Sequence, residues 1–324
     1  MSDASELPVG IADVEAAAVR IRDQAVRTPL LGSAALDARA GGRVLLKAET
    51  LQRTGSFKFR GAYNLISALD PAERDRGVVA FSSGNHAQGV AHAASLLGWA
   101  STVVMPADAP PLKIERTRAF GATVVTYDRA TESREEIAAA LAARTGAVTV
   151  PPYDHSMIMA GQGTVGLELA AQAAERELVP DQVLVPCGGG GLTAGIATAL
   201  ADRLPRAVVR PVEPAGYDDT TRSLAAGERV ANAAGASSIC DALLAPTPGE
   251  LTFAVNAALA GPGLVVDDDQ VRAAVRWAFE ELKLAVEPGG AVALAAVLAG
   301  VADTADRVSV VVLSGGNTDA RWLT

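Results

Sequence analysis

Short apolar runs rich in valine alternate with alanine-rich stretches along most of the chain. The apolar runs predict strands over residues 44–47, 78–81, 102–105, 123–127, 148–150, 183–185, 208–212 and 308–313. The stretches between them predict helices, among them residues 11–26, 86–97, 134–143, 165–175 and 270–282. This repeated alternation predicts an α/β fold in which helices cover both faces of parallel sheets.

The loops that follow strands matter most, because ligands of α/β folds bind beyond the carboxyl ends of the strands. The segment VLVPCGGGGLTAG places glycines at residues 188–191 between a strand and a helix that begins near Leu192. Adjacent glycines cost conformational entropy, but they let backbone N–H groups approach an anion beside a helix N-terminus. The loop lacks the lysine of a nucleoside triphosphatase motif. We interpret it as a phosphate-binding site.

The segment TGSFKFRGAYNLISAL predicts a helix capped by Ser56. Its apolar face begins with Lys58 and continues through Ala62, whereas Arg60 and Asn64 are predicted on the opposite, polar face. An ammonium group on an apolar face needs a partner, a lowered pKa or a chemical use. The alternative is a lysine at a helix end whose ammonium reaches water.

Three further loops carry polar side chains at the ends of predicted strands. They are FSSGNHAQG with Ser82, Ser83, Asn85 and His86, VVVLSGGN with Ser314, and VEPAGYDD with Glu213, Asp218 and Asp219. The first suits a carboxylate or a ring oxygen, and the acidic cluster suits Mg²⁺ or Ca²⁺. Taken singly, helix capping, a plain turn and solvated acidic side chains explain these loops at least as well.

Taken together, these loops match the needs of one ligand, an aldehyde cofactor that carries a phosphate. A lysine can form a Schiff base with the aldehyde, the glycines can hold the phosphate, and the strand-end serine can meet a ring nitrogen. Pyridoxal phosphate has all of these groups, so we predict it as the cofactor.

Composition narrows the class of protein. The chain has 324 residues and a formal net charge of −9, without a long basic run, so a nucleic-acid partner is not expected. Cys187 and Cys240 lie far apart, which is typical of a reduced, cytoplasmic protein without a disulfide framework. The N-terminus lacks the features of a signal peptide, and the longest apolar run, residues 291–302, is too short to span a membrane.

The motifs TGSFKFRGA, SSGNHAQGVA, PPYDH, AGQGT, PCGGGGL, VEP, VEPGGA and SGGN follow one another along nearly the whole chain. In this order they resemble the serine/threonine dehydratase and serine racemase family of fold-type II pyridoxal phosphate enzymes. The resemblance implies two open, mostly parallel, twisted sheets, as in the tryptophan synthase β-like fold. It also implies a large domain of residues 1–76 and 153–324, a small inserted domain of residues 77–152, and a homodimer.

The resemblance implies a role for each matching residue. Lys58 is the Schiff-base lysine, and Ser83 matches the acid/base that racemases place on the opposite ring face. The implied cofactor contacts are Phe57, Lys58, Asn85, Gly188, Gly189, Gly190, Gly191, Leu192 and Ser314. The implied substrate contacts are Ser82, Ser83, Asn85, His86 and Arg134. Glu213, the Tyr217 carbonyl and Asp219 match a site for Mg²⁺ or Ca²⁺.

Two positions depart from the family pattern. Cys240, Asp241 and Ala242 stand where the family has A-D-G, which adds a methyl group near the cofactor. Tyr153 stands where the racemases have asparagine, as in bacterial dehydratases. The sequence ends soon after SGGN, so we expect no C-terminal regulatory domain and no feedback by isoleucine.

The implied reaction is β-elimination of water from a small β-hydroxy amino acid, giving a 2-oxo acid and ammonia. L-Threonine, L-serine and 3-hydroxyaspartate remain open as substrates, and a racemase side activity is possible through Ser83. One alternative is a β-replacement enzyme like cysteine synthase, although its asparagine-loop motif differs from SSGNHAQG. The other is a non-catalytic, ligand-sensing protein, which the presence of both Lys58 and Ser314 disfavours.

Overall fold

Two separate β-sheets form the framework of the protein. The computed structural model describes residues 7–82, 84–109, 111–319 and 322. Within these residues, the larger sheet contains β1 (Leu30–Gly32), β2 (Arg43–Ala48), β7 (Gln182–Pro186), β8 (Val208–Pro214), β9 (Leu264–Val266) and β10 (Val308–Leu313), in the order β1-β2-β10-β7-β8-β9. The smaller sheet contains β3 (Val78–Phe81), β4 (Ser101–Pro106), β5 (Thr123–Tyr127) and β6 (Val148–Thr149), in the order β5-β4-β3-β6.

Neighbouring strands run parallel in both sheets, except that β1 is antiparallel to β2. In the larger sheet, β10 lies between β2 and β7, with Val310 opposite both Leu45 and Val183. The carboxyl ends of these parallel strands therefore meet at one edge. The loops that follow β7, β8 and β10 begin at that edge. The α/β class with mostly parallel sheets is confirmed.

Helices cover the sheets. Their bounds are α1 Ile11–Ile21, α2 Ala34–Ala40, α3 Lys58–Ser67, α4 Asn85–Leu97, α5 Pro111–Ala119, α6 Arg134–Thr145, α7 Ser156–Ala174, α8 Gly191–Arg203, α9 Asp219–Ala226, α10 Glu250–Leu259, α11 Asp268–Trp277 and α12 Pro288–Leu298. A π-helical turn, Ala278–Leu282, extends α11. In the part of the chain that the structure describes, every helix is too short or too polar to cross a lipid bilayer.

Several sequence-based bounds were wrong for identifiable reasons. Strands β1 and β9 were missed; each has three residues and lies at an edge of the larger sheet. Helix α7 begins at Ser156, well before the predicted residue 165, because its glycines are packing positions and not breaks. A Cβ atom at Gly161 would lie 2.6 Å from the Cα of Gly61, and one at Gly163 would lie 2.8 Å from the Gly195 carbonyl oxygen. Glycine thus lets α7 pack directly on the backbones of α3 and α8.

The predicted polar face of α3 is also wrong. Arg60 is fully buried, and its guanidinium donates to Glu49 at 2.8 and 2.9 Å and to Glu168 at 2.7 and 3.0 Å. Helix α7 covers this side of α3 and supplies one of the two carboxylates. The predicted cap is wrong too, because Phe57 occupies the N-cap position and Ser56 instead forms a β-bridge with Gly315.

Candidate active site

A cavity of about 130 Å³ collects most of the predicted site residues. Those that line it are Phe57, Lys58, Ser82, Asn85, His86, Arg134, Gly188, Gly189, Gly190, Gly191, Leu192 and Ser314. Tyr153 and Ala242, the two departures from the family pattern, also line it. Glu213, Tyr217 and Asp219 lie outside its lining, and Ser83 lies outside the described residues.

Lys58 is the first residue of α3 and directs its ammonium group into this cavity. Its Nζ atom donates to the carbonyl oxygen of Pro152 at 2.6 Å and lies 5.2 Å from the centre of the Phe57 ring. Burial lowers the pKa of Lys58 to about 8. The uncharged form, which can act as a nucleophile or a base, therefore forms more readily than in an exposed lysine.

The glycine loop, residues 188–191, connects β7 to α8 across the cavity. The first N–H groups of α8 have no acceptor within the helix, and its N-cap residue, Gly190, has no side chain to cap them. Thr252 Oγ1 donates to the Gly189 carbonyl at 2.6 Å, and Asn256 Nδ2 donates to the Gly190 carbonyl at 3.2 Å. These bonds from α10 fix the peptide groups of the loop. The result is a rigid set of backbone donors for an anion.

Close packing explains why these positions are glycine. Gly190 has a φ of +93°, which side chains disfavour, and a Cβ atom there would lie 2.8 Å from Asn256 Nδ2. A Cβ atom at Gly189 would overlap the ring of Tyr153. Tyr153 follows Pro152, the residue that accepts the Lys58 hydrogen bond. One short segment therefore contacts both the lysine and the glycine loop.

Asn85 and His86 begin α4 on another wall of the cavity. Asn85 Nδ2 donates to Glu287 Oε1 at 2.5 Å, and Asn85 Oδ1 accepts from Asn317 Nδ2 at 2.7 Å. His86 Nε2 lies 2.8 Å from the Val150 carbonyl oxygen. Burial, assisted by the nearby Lys58 charge, lowers the pKa of His86 to about 3, so the ring is neutral. Gly84 is the N-cap, so the alternative that Asn85 simply caps the helix is wrong.

Ser314 comes directly after β10 and is almost fully buried at the cavity wall. Its carbonyl oxygen accepts from the backbone N–H of Phe57 at 3.2 Å. The bridge between Ser56 and Gly315 lies beside this bond. These contacts hold the segment that leads to Lys58 against the end of the last strand.

Comparison with known proteins places the chain in a family. Residues 21–315 match the model described as pyridoxal-phosphate dependent enzyme. The chain belongs to this family. It is 41% identical to an L-threo-3-hydroxyaspartate ammonia-lyase of Pseudomonas sp over 95% of each protein. The predicted fold type and the predicted cofactor are confirmed.

Solved structures of similar proteins share the fold over nearly the whole chain. A threonine deaminase from T.th. has a TM-score of 0.89 and 44% identity, covering 96% of this chain and 99% of that one. Maize serine racemase has a TM-score of 0.91 and 38% identity, with 96% and 94% covered. The chain is thus similar both to ammonia-lyases and to racemases.

Pyridoxal phosphate fits the described cavity. The glycine loop and the start of α8 offer backbone donors where a Cβ atom would collide with neighbouring side chains. Lys58, Asn85 and Ser314 offer an amine, an amide and a hydroxyl from three other walls. These are the groups that a phosphate, an aldehyde and a polar ring require.

Two cationic side chains also line the cavity of this family member. The guanidinium of Arg134 lies 5.5 Å from the centre of the Phe81 ring, and its Nε atom donates to Glu135 at 2.8 Å. Lys113 pairs with Asp241. Sequence reasoning missed Lys113, because it lies in α5 without a motif of its own.

Glu287 is a second residue that sequence reasoning missed. The residue is 2% exposed and lines the cavity, and its Oε2 atom has no hydrogen-bond partner among the described residues. Burial raises the pKa of Glu287 to about 7. An acidic residue directly before Pro288 and a wholly apolar helix was the available signal.

The predicted metal ligands lie behind the glycine loop, where Glu213 and Asp219 make hydrogen bonds within the protein. The Glu213 carboxylate accepts from the N–H groups of Thr220 and Thr221 at 2.9 and 2.7 Å, and so caps α9. Asp219 Oδ1 accepts from Asn232 at 2.6 Å. Among the described residues, no three histidine, cysteine, aspartate or glutamate side chains converge on a common point that suits a metal ion.

Proposed function

We propose that this protein is an ammonia-lyase that eliminates water from a small β-hydroxy amino acid and releases a 2-oxo acid and ammonia. The observation that carries the proposal is the shared cavity of Lys58 and the glycine loop. This cavity contains both an amine of lowered pKa, Lys58, and an anion site, the glycine loop. The names of the similar proteins, an L-threo-3-hydroxyaspartate ammonia-lyase and a threonine deaminase, support it.

When bound, pyridoxal phosphate supplies an aldehyde that captures amines and a ring that accepts electrons from the α-carbon. The glycine loop and Leu192 would hold its phosphate, Phe57 would pack beside its ring, and Ser314 would meet the ring nitrogen. Asn85 would donate to the ring oxygen. Lys58 would hold the cofactor through its amine, and its Nζ atom, when free, is the group in the cavity that would take the α-proton of the substrate.

Substrate recognition falls to the loop of Ser82 and His86 and to the cations on the cavity wall. The hydroxyl and the N–H groups at the start of α4 suit the α-carboxylate. Arg134 and Lys113 suit a second carboxylate, which 3-hydroxyaspartate has and which serine and threonine lack. We therefore place L-threo-3-hydroxyaspartate first among the substrates, with L-threonine and L-serine after it. A racemase side activity through Ser83 is also proposed.

Two accessory features belong to this proposal. One is a Mg²⁺ or Ca²⁺ ion bound by Glu213, the Tyr217 carbonyl oxygen and Asp219. It is supported by Asp219 Oδ2, which is buried and has no hydrogen-bond partner among the described residues. Two carboxylates and one carbonyl leave positions for water, as these ions prefer. The other is a homodimer, which the mass of the purified protein by light scattering tests against the 33.0 kDa chain.

The deciding experiment is a substrate panel. Purified protein loaded with pyridoxal phosphate is given L-threo-3-hydroxyaspartate, L-threonine, L-serine and O-acetyl-L-serine with sulfide. Ammonia, 2-oxo acids and the enantiomers of the remaining substrate are measured. We expect stoichiometric ammonia and 2-oxo acid, fastest with hydroxyaspartate. Product formation only from O-acetylserine and sulfide would show a β-replacement enzyme and overturn the proposal.

A further inference from the structure

The side chain of Asn85 belongs to a chain of hydrogen bonds. This chain links helices α4 and α5 to the segment that follows β10 and to the residue that precedes α12. Arg116 Nη1 donates to Asn317 Oδ1 at 3.3 Å, and Asn317 Nδ2 donates to Asn85 Oδ1 at 2.7 Å. Asn85 Nδ2 then donates to Glu287 Oε1 at 2.5 Å. Each amide oxygen accepts from the preceding residue of the chain, and each amide nitrogen donates to the next one. The hydrogen bonds therefore all point the same way and end at Glu287.

The Asn85 amide keeps only part of its hydrogen-bonding capacity for a ligand. An amide nitrogen carries two hydrogens and the amide oxygen accepts. One Asn85 N–H goes to Glu287, and one lone pair of its oxygen accepts from Asn317. A single N–H therefore remains for a ligand in the cavity that Asn85 lines. If the amide turned over, its oxygen would face the cavity and would repel a negatively charged ring oxygen.

Glu287 opposes this turn at the nitrogen of the Asn85 amide, and Asn317 opposes it at the oxygen. An ionised carboxylate only accepts hydrogen bonds, so it selects the N–H side of the Asn85 amide. A protonated carboxyl group can donate as well as accept, so it would form a hydrogen bond with the Asn85 amide in either orientation. Gly315 is required for the contact, because a Cβ atom there would overlap Glu287 Oε1 and lie 3.0 Å from Asn85 Nδ2.

We propose that Glu287 is a positioning residue that holds the Asn85 amide in the orientation that binds the ring oxygen of pyridoxal phosphate. The proposal deepens the function proposed above and rests on it. Glu287 acts through Asn85 and does not take part in the chemistry. Its Oε2 atom, buried at the cavity and unpartnered among the described residues, shows a carboxyl group placed for more than packing.

The surroundings of Glu287 predict a dependence on pH. Burial raises its pKa to about 7, while Lys113 opposes that rise and Asp241 adds to it. A raised pKa means that the carboxyl group takes up a proton as the pH falls through about 7. The contribution of Glu287 to the orientation of Asn85 is therefore present above pH 7 and is lost below it, while the hydrogen bond from Asn317 remains.

The test measures binding of pyridoxal phosphate by apoprotein, followed by quenching of tryptophan fluorescence between pH 6 and pH 8. Wild type is compared with Glu287→Gln, Asn85→Ala and the double variant, and circular dichroism checks each fold. At pH 8 we expect Glu287→Gln to weaken binding about tenfold, the loss of one charge-assisted hydrogen bond. The ratio of the dissociation constant of Glu287→Gln to that of wild type should approach one at pH 6. Taking the ratio at each pH cancels the titration of Lys58 and of the cofactor.

In the Asn85→Ala background, Glu287→Gln should cause no further weakening, because its effect passes through Asn85. Equal weakening in both backgrounds, or a ratio that does not change with pH, overturns the positioning role. If Glu287→Gln does not fold, Glu287→Asp keeps the charge but withdraws it from the amide and should weaken binding in the same way. Wild-type apoprotein that binds no pyridoxal phosphate would overturn the proposed function as well.

Discussion

The ammonium group of Lys58 donates a hydrogen bond to the backbone carbonyl of Pro152, 2.6 Å away. Pro152 precedes Tyr153, whose ring packs on Gly189. The lysine and the glycine loop are thus joined through one turn, although they lie more than a hundred residues apart in the sequence. This relationship makes their separate contributions testable.

Replacing Lys58 with alanine should abolish formation of the 2-oxo acid and leave the fold intact. The other lysine at the described cavity wall, Lys113, cannot take over the role of Lys58 because it is paired with Asp241. Assays of ammonia and 2-oxo acid measure turnover, and circular dichroism measures the fold. Lys283→Ala, outside the cavity lining, is the matched control and should retain turnover. A Lys58→Ala protein that keeps most of its activity without added amines would refute the assignment.

Replacing Ser83 with alanine should separate two activities. Racemisation should fall by about 10²–10⁴-fold, the usual contribution of one acid/base group. Elimination from the L-substrate should survive, since Lys58 serves that face. Chiral chromatography and oxo-acid assays on the same samples measure both. Parallel loss of the two activities would assign Ser83 to substrate binding instead.

Replacing Arg60 with alanine should destabilise the fold severely, because the fully buried Glu49 would lose the guanidinium that pairs with it, while Glu168 would keep only Lys47. Breaking such a network from one side costs about 3–5 kcal/mol. Urea unfolding followed by circular dichroism measures the change in the free energy of unfolding. Arg43→Ala, which breaks an exposed pair with Asp37, is the control and should cost less than about 1 kcal/mol. Similar losses for both variants would contradict the role of the buried network.

Replacing Gly189 with alanine should weaken binding of pyridoxal phosphate, because the added methyl group overlaps the Tyr153 ring and displaces the loop. Adding Tyr153→Ala should restore part of the affinity by making room. Gly227→Ala is the control, since it adds the same methyl group to a glycine with open space around it. Because Gly227 has a left-handed backbone (φ +75°), this control should lower stability without changing cofactor affinity. The same loss with and without Tyr153 would show that the clash is not the cause.

Removing divalent cations should lower activity and thermal stability together, and either Mg²⁺ or Ca²⁺ should restore both. A cation beside Glu213 and Asp219 would neutralise two buried carboxylates behind the glycine loop. Glu213→Ala should make the protein indifferent to chelator. Wild-type protein that is already indifferent, with no ion retained after dialysis against Mg²⁺, would leave Glu213 as the cap of α9 alone.

The sequence by itself determined the local features of this protein. Alternating apolar runs predicted the parallel strands, with β3, β5 and β10 at the observed bounds. For β3 and β10 the reason is that a strand in a covered sheet needs a continuous apolar segment. The adjacent glycines of residues 188–191 indicated an anion site, because that backbone property belongs to the loop itself.

Only the tertiary structure decided which side chains meet. Periodicity predicts Arg60 on a polar face, but Glu168 reaches it from 108 positions away and makes its burial possible. The sequence places Asn85 at a helix start, but its partner Glu287 lies 202 positions along the chain. Periodicity reports how polar a helix face is, and it cannot report which distant carboxylate will pair with a charge. The polar wall of the cavity is therefore a product of the fold.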